Sequence, residues 1–170
     1  MIETPDLILD KAKLSDWKDM YYNVWRHPES ARYMFWSPTT DEADAKPRME
    51  RTIAFQKEHD TTYLVYEKAT GKAIGFAGVK QVADGIYEES GICLGPDYVG
   101  KGYGHQILRA LIEYCKENFG AVEFQYSSRA ENLASIALAR SFGFVLTGEE
   151  TKIDDRNGES YRLLHYSLKL

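Results

Sequence analysis

Cysteine is scarce in this chain. Two thiols, Cys93 and Cys115, stand far apart among 170 residues, with no Cys-x-x-Cys pair and no histidine at metal-ligand spacing. That pattern offers neither a disulfide framework nor a zinc motif, and both thiols read as buried and free. The four histidines, His27, His59, His105 and His165, are equally scattered, so no metal site is expected. No apolar run approaches the ~20 residues of a membrane-spanning helix. The opening Met1-Ile2-Glu3-Thr4-Pro5-Asp6 is acidic where a secretory signal would be basic, so a cytoplasmic protein with no membrane partner is expected. Basic charge is in deficit too. With 21 Lys and Arg against 26 Asp and Glu, the formal charge is −5, which argues against nucleic acid as a ligand and suits a cationic partner. Internal repeats, low-complexity tracts and linkers are absent.

What remains is an ordinary globular composition, 44% hydrophobic and 28% charged, at a length that fits one α/β domain over residues 1–170. A chain this long buries about 70% of its unfolded surface, so it needs no covalent staple. Leu7-Ile8-Leu9, ending at Asp10, reads as a strand. Leu14, Trp17, Tyr21 and Val24 then recur at helical spacing before His27-Pro28. Ser37 to Glu42 supplies turn and cap residues ahead of a second helix reaching about His59, which begins near Pro47 or is interrupted there. Thr61–Glu67 and Ala73–Lys80 form a hairpin around Ala69-Thr70-Gly71-Lys72, and Ile86–Leu94 is a third strand stopped by Gly95-Pro96-Asp97.

Ile107, Leu108, Leu111, Ile112, Cys115 and Phe119 trace one face of the clearest helix, with Gly120 as its stop. Beyond it the pattern predicts a strand over Ala121–Tyr126, a helix over Asn132–Phe142, and strands over Phe144–Thr151 and Ser160–Leu168. A meander followed by alternating strands and helices implies a mixed sheet with helices on its faces.

Between the third strand and the clearest helix lies Gly95-Pro96-Asp97-Tyr98-Val99-Gly100-Lys101-Gly102-Tyr103-Gly104. Without side chains at Gly100, Gly102 and Gly104, successive N–H groups can point one way and a ligand can approach the main chain. The helix that follows adds the positive end of its dipole, so the segment suits a phosphate or diphosphate. Two familiar phosphate loops fail here. Gly95 to Lys101 nearly spells a P-loop, but Gly102 stands where Ser or Thr must hold magnesium, and a dinucleotide fingerprint starting at Gly100 would need glycine at His105.

The spacing Val99-Gly100-Lys101-Gly102-Tyr103-Gly104 resembles the diphosphate-binding motif of the GNAT N-acetyltransferase superfamily: Gln or Arg, two residues, Gly, one residue, Gly or Ala. Val99 departs from that pattern at its first position. Downstream, Arg129-Ala130-Glu131-Asn132-Leu133-Ala134-Ser135 and Ser141-Phe142-Gly143-Phe144 resemble the Glu-Asn-x-x-Ser and Gly-Phe elements of the RimJ/RimL-type branch. The resemblance implies a GNAT-like fold, a mixed and strongly twisted central sheet of about seven strands with helices on both faces, splayed between its fourth and fifth strands around the pantetheine arm. It also implies an acetyltransferase that takes acetyl-CoA as acyl donor, without a metal, and a primary amine as acceptor. That acceptor would be a protein or peptide N-terminus or a small amine, attacking directly in a ternary complex. Homodimers occur in the family.

Carried onto this sequence, the resemblance makes Ile92, Cys93 and Leu94 the main-chain partners of pantetheine and of the thioester oxygen, where an N–H would favour developing negative charge. The loop Val99, Gly100, Lys101, Gly102, Tyr103 and Gly104 would hold the diphosphate, and Asn132 the amide arm. Glu88 and Glu89 are the nearest carboxylates to take a proton from the amine. Glu89 matches the branch, and period-two alternation aligns it with Gly91 and Cys93. The tyrosine that many family members use to protonate the leaving thiolate is replaced by Ala139, which leaves Ser135 as the candidate acid. Asn132 and Ser135 equally suit an N-cap and a local backbone partner. Tyr33, Phe35 and Trp36 lie where the family builds its acceptor pocket, and also read as simple packing. Cys93 lacks a partner histidine, which disfavours a covalent cysteine route. The alternative to an enzyme is a regulatory module that binds acyl-CoA without turnover, kept open by Val99 and Ala139.

Overall fold

A computed structural model describes residues 1–170. Eight strands form one sheet in the order β1-β2-β3-β4-β5-β6-β8-β7. They are β1 (Ile2–Glu3), β2 (Leu7–Asp10), β3 (Thr62–Glu67), β4 (Ala73–Ala83), β5 (Ile86–Leu94), β6 (Glu123–Arg129), β7 (Val145–Ile153) and β8 (Ser160–Lys169). The strand beyond the seven expected is β1, two residues too short to show an apolar pattern, which pairs Ile2 with Leu9 and Glu3 with Ile8. The chain divides into two compact units, residues 1–79 with 90–111, and residues 80–89 with 112–170.

In the first unit, β2, β3 and β4 run antiparallel, with a register shift between Val65 and Tyr66. Leu7 and Leu9 are fully buried, as alternation along a half-buried strand requires. The amphipathic stretch after β2 is not one helix. A 3₁₀ turn (Leu14–Asp16) leads into α1 (Trp17–Met20), and a wider π turn (Tyr21–Trp25) follows, where the Arg26 N–H reaches the Tyr21 carbonyl at 3.2 Å. His27 is extended, as a residue before proline prefers, and α2 (Pro28–Ala31) restarts with Pro28 in its first turn. Apolar spacing survives these changes of pitch: Met20, Val24 and Trp25 pack with Ala45, Met49, Leu64 and Cys93 into one core cluster. Helix α3 (Ala45–Glu58) carries Pro47 in its first turn, where a missing N–H costs nothing, so the helix begins near the proline and is not broken by it.

In the second unit, β5 and β6 are parallel over Ile86–Glu88 against Glu123–Gln125. Strand β8 pairs antiparallel with β6 from Glu123↔Lys169 to Arg129↔Leu163, and with β7 along its other edge. Phe124, fully buried, meets Phe144 edge-on at 6.3 Å, and Tyr126 tilts against the same ring at 5.8 Å. The β7–β8 turn is built on Asp154. Its main chain bonds Glu159 and Gly158, and its carboxylate takes Arg129 at 2.9 Å and Arg156 at 2.8 Å. Two long helical stretches complete the chain, α4 (Tyr103–Phe119), stopped by Gly120 at φ 63°, and α5 (Leu133–Ser141).

Candidate active site

The end of β5 carries the first group of expected residues. Ile92 and Leu94 are half-buried, and Cys93 is 4% exposed. The strand is held close to β4, since a side chain at Gly75 would come within 2.1 Å of the Cys93 carbonyl oxygen. Cys93 Sγ lies 3.5 Å from the Ser30 carbonyl, and burial pushes the thiol up to about 12. It is a thiol at neutral pH and a poor nucleophile. Gly91 has φ 133°, so the regular alternation between Glu89 and Cys93 is interrupted there.

Next comes the glycine segment. After a short 3₁₀ turn at Pro96–Tyr98, Gly100 and Gly102 adopt φ 76° and 80°, and a Cβ on either would meet only open space. Left-handed glycines in this spacing can turn successive main-chain N–H groups toward one side. The Gln106 N–H already reaches back to the Gly102 carbonyl, so the N–H groups of Tyr103, Gly104 and His105 stand ahead of the helical ladder of α4. Val99 is 60% exposed. The Lys101 ammonium lies 5.2 Å and 5.9 Å from the rings of Tyr98 and Tyr103. Tyr103 is fixed by donating to Glu67 Oε1 at 2.8 Å, a bond that pushes the phenol up to about 12. Glu67 is buried, and its other oxygen accepts from Thr70. The loop is thus anchored at one tyrosine while its glycines face outward.

The second unit assembles the other candidates. Asn132 caps α5 by accepting from the Ser135 N–H at 3.2 Å, so its carboxamide oxygen is engaged and its NH₂ remains for another partner. Ser135 Oγ lies 2.8 Å from Tyr126 Oη on β6. Burial, and after it the charge of Glu89, push the Tyr126 phenol well above its ordinary range. Tyr126 thus pairs with Ser135 and feels the charge of Glu89. Glu88, on the other face of β5, is engaged elsewhere: its carboxylate pairs with Lys80 at 2.9 Å and accepts from Ser127 at 3.1 Å, with His165 and Glu150 continuing the chain. Ala139 is fully buried and offers no acid.

Two residues here escape sequence reasoning. Tyr126 sits at a strand position that reads as core, and only its hydroxyl contact with Ser135 marks it. Arg48 on α3 lies between the rings of Trp25 and Trp36 at 4.6 Å and 4.7 Å, donates to Thr39 Oγ1 at 2.8 Å, and has no carboxylate in ion-pair range. Burial and the neighbouring Arg51 bring it down to about 10. Trp36 also packs on Phe76, whereas Phe35 is 81% exposed. The protein holds no group of three or more His, Cys, Asp or Glu placed for a metal, and no helix is long and apolar enough to cross a membrane.

Residues 6–145 match the family model described as acetyltransferase (GNAT) domain. The N-acetyltransferase p20 of Bacillus licheniformis is 26% identical over 167 residues, 97% of this chain and 93% of p20. Two solved structures superpose closely. The microcin C7 self-immunity acetyltransferase MccE, in complex with acetyl-CoA and AMP, gives a TM-score of 0.80 at 21% identity over 98% of this chain and 94% of its own. RimL, the ribosomal L7/L12 alpha-N-protein acetyltransferase in complex with coenzyme A, gives 0.78 at 20% identity over 98% and 96%.

Proposed function

The chain belongs to the GNAT acetyltransferase family, and from that premise we propose that it transfers the acetyl group of acetyl-CoA to a primary amine by direct attack, the amine being a peptide or protein α-amino group or a small polyamine-like or aminoglycoside-like acceptor. The observation that carries the reading is the loop from Val99 to Gly104, whose two left-handed glycines open onto free space at the start of α4. Val99, Gly100, Lys101, Gly102, Tyr103 and Gly104 would hold the diphosphate through main-chain N–H groups and the Lys101 ammonium. Ile92, Cys93 and Leu94 would offer main chain to the pantetheine and the thioester oxygen, and Asn132 its NH₂ to the amide arm. The acetyl-CoA and coenzyme A complexes of MccE and RimL support this donor, and RimL's action on a protein α-amine supports the peptide class of acceptor.

When bound, the donor supplies a thioester carbonyl; the protein supplies proton handling. An acceptor that arrives as an ammonium loses two protons in becoming an amide, while one proton is needed by the departing sulfur. Glu89 would take a proton from nitrogen before the N–C bond forms. Ser135 would donate toward sulfur as the C–S bond breaks with its electron pair. The buried, protonated thiol of Cys93 favours this route over an acetyl-cysteine intermediate.

The test is thiol release from acetyl-CoA by the purified chain against a panel of peptides, polyamines, aminoglycosides and amino acids. Release that depends on one acceptor class supports the enzyme and fixes its substrate. Binding of acetyl-CoA with no release for any amine points to a regulatory acyl-CoA module, and absence of binding sinks the reading.

A further inference from the structure

One gap in the proposed chemistry is the acid. Ala139 replaces the usual tyrosine, and a serine hydroxyl alone is a weak and freely rotating donor. Its single hydrogen can point at sulfur, at a backbone carbonyl or at water. Something must select among these.

The selecting group lies on β6. Tyr126 is 4% exposed, its ring held against Phe144 and its hydroxyl 2.8 Å from Ser135 Oγ. Either oxygen could donate, but the two choices differ in cost. If Ser135 donated, the buried phenol hydrogen would be left without this partner, a costly arrangement for a buried donor. If Tyr126 donates, the buried group is satisfied and the hydrogen on half-exposed Ser135 is left for a group outside the protein. Burial keeps the phenol protonated, so it has a hydrogen to give, and only the second choice leaves no buried hydrogen without an acceptor. The Ser135 N–H is meanwhile tied to Asn132 Oδ1, which fixes the first turn of α5 and the origin of the serine side chain.

We propose that Tyr126 is a positioning residue for acetyl transfer: its phenol donates to Ser135 Oγ and thereby aims the Ser135 hydrogen at the leaving sulfur. This rests on the acetyl-CoA reading above. In the step itself the nitrogen lone pair forms the N–C bond, the C–S pair leaves on sulfur, and Ser135 hydrogen-bonds that developing charge. One proton leaves the ammonium for solvent through Glu89 before the attack; the second, lost from nitrogen as the amide forms, goes to water, and the thiolate held by Ser135 takes its proton from water. Tyr126 does not touch the reacting atoms, and it keeps its own proton throughout.

Tyr126→Phe retains the ring that packs on Phe144, so the fold is preserved and only the hydroxyl is lost. Two measurements decide the matter. In steady-state kinetics, Ser135→Ala lowers kcat roughly tenfold to a hundredfold and Tyr126→Phe about tenfold, with KM for acetyl-CoA little changed in either. The double variant is no slower than Ser135→Ala alone, because Tyr126 acts through Ser135. In calorimetry without turnover, the wild type prefers coenzyme A over desulfo-coenzyme A by several-fold, and both single variants lose that preference equally. Additive kinetic losses, or a preference intact in Tyr126→Phe, would overturn the role. A wild type that binds coenzyme A but acetylates no amine would instead defeat the enzyme reading, while the calorimetric comparison still judges the hydroxyl pair.

Discussion

Glu88 and Glu89 are chain neighbours in different company. Lys80 and Ser127 occupy the carboxylate of Glu88, whereas the charge of Glu89 raises the Tyr126 phenol. Glu89→Gln should therefore lower kcat about a hundredfold or more with little change in acetyl-CoA affinity, as loss of a general base does; steady-state kinetics beside a binding titration checks both halves. A rate that stays equal to wild type across pH would remove Glu89 from the base role. The cap that Asn132 forms on the Ser135 N–H was legible, because a short polar side chain stands at the start of an apolar helical pattern. Tyr126 was not. An aromatic residue alternating with Phe124 on a strand looks like core, and its ring is indeed core; only the fold shows that its hydroxyl reaches Ser135 on the next helix. Arg48 was hidden for a similar reason, since its neighbours Trp25 and Trp36 come from segments that sequence spacing cannot bring together.

At the scale of elements, the loop at residues 99–104 has the most to lose from small changes. Gly100 and Gly102 need a left-handed backbone, which costs an ordinary residue about 1–2 kcal/mol, and a new Cβ would stand on the open side where a diphosphate would lie. Gly100→Ala should weaken acetyl-CoA binding at least tenfold while the melting temperature falls by only a few degrees, by calorimetry and thermal scanning. Unchanged affinity would mean that the diphosphate lies elsewhere. Strands and the long helix were readable from periodicity, β5 to the residue and α4 at its Gly120 end, while its start at Tyr103 lies ahead of the first apolar position that the pattern shows, Ile107. The N-terminal helical stretch was less so. Apolar spacing of three and four residues is compatible with 3₁₀, α and π turns in succession, and nothing short of the fold distinguishes them. Pro47 was ambiguous between the start of a helix and a break for the same local reason.

For the whole molecule, part of the acid stability follows from one buried cluster. Hydrogen bonds from Arg156, with Arg129 beside it, hold the Asp154 carboxyl well below its usual range. A depressed carboxylate stabilises the fold fully above its unfolded value of about 3.9, and that contribution is lost as pH falls through the lower folded value. Wild type should thus melt well above Asp154→Asn at pH 7. The gap should close as pH drops below about 4, as thermal scans across pH would register. A constant gap would show that Asp154 acts through geometry and not through charge. Catalysis has an equally direct test. A single turnover with carbonyl-labelled acetyl-CoA and an active amine, quenched and read by mass spectrometry, locates the acetyl group. The account predicts label on the acceptor as an amide and none on the protein at any time. Label on Cys93, or release as acetate without amide, would contradict direct transfer.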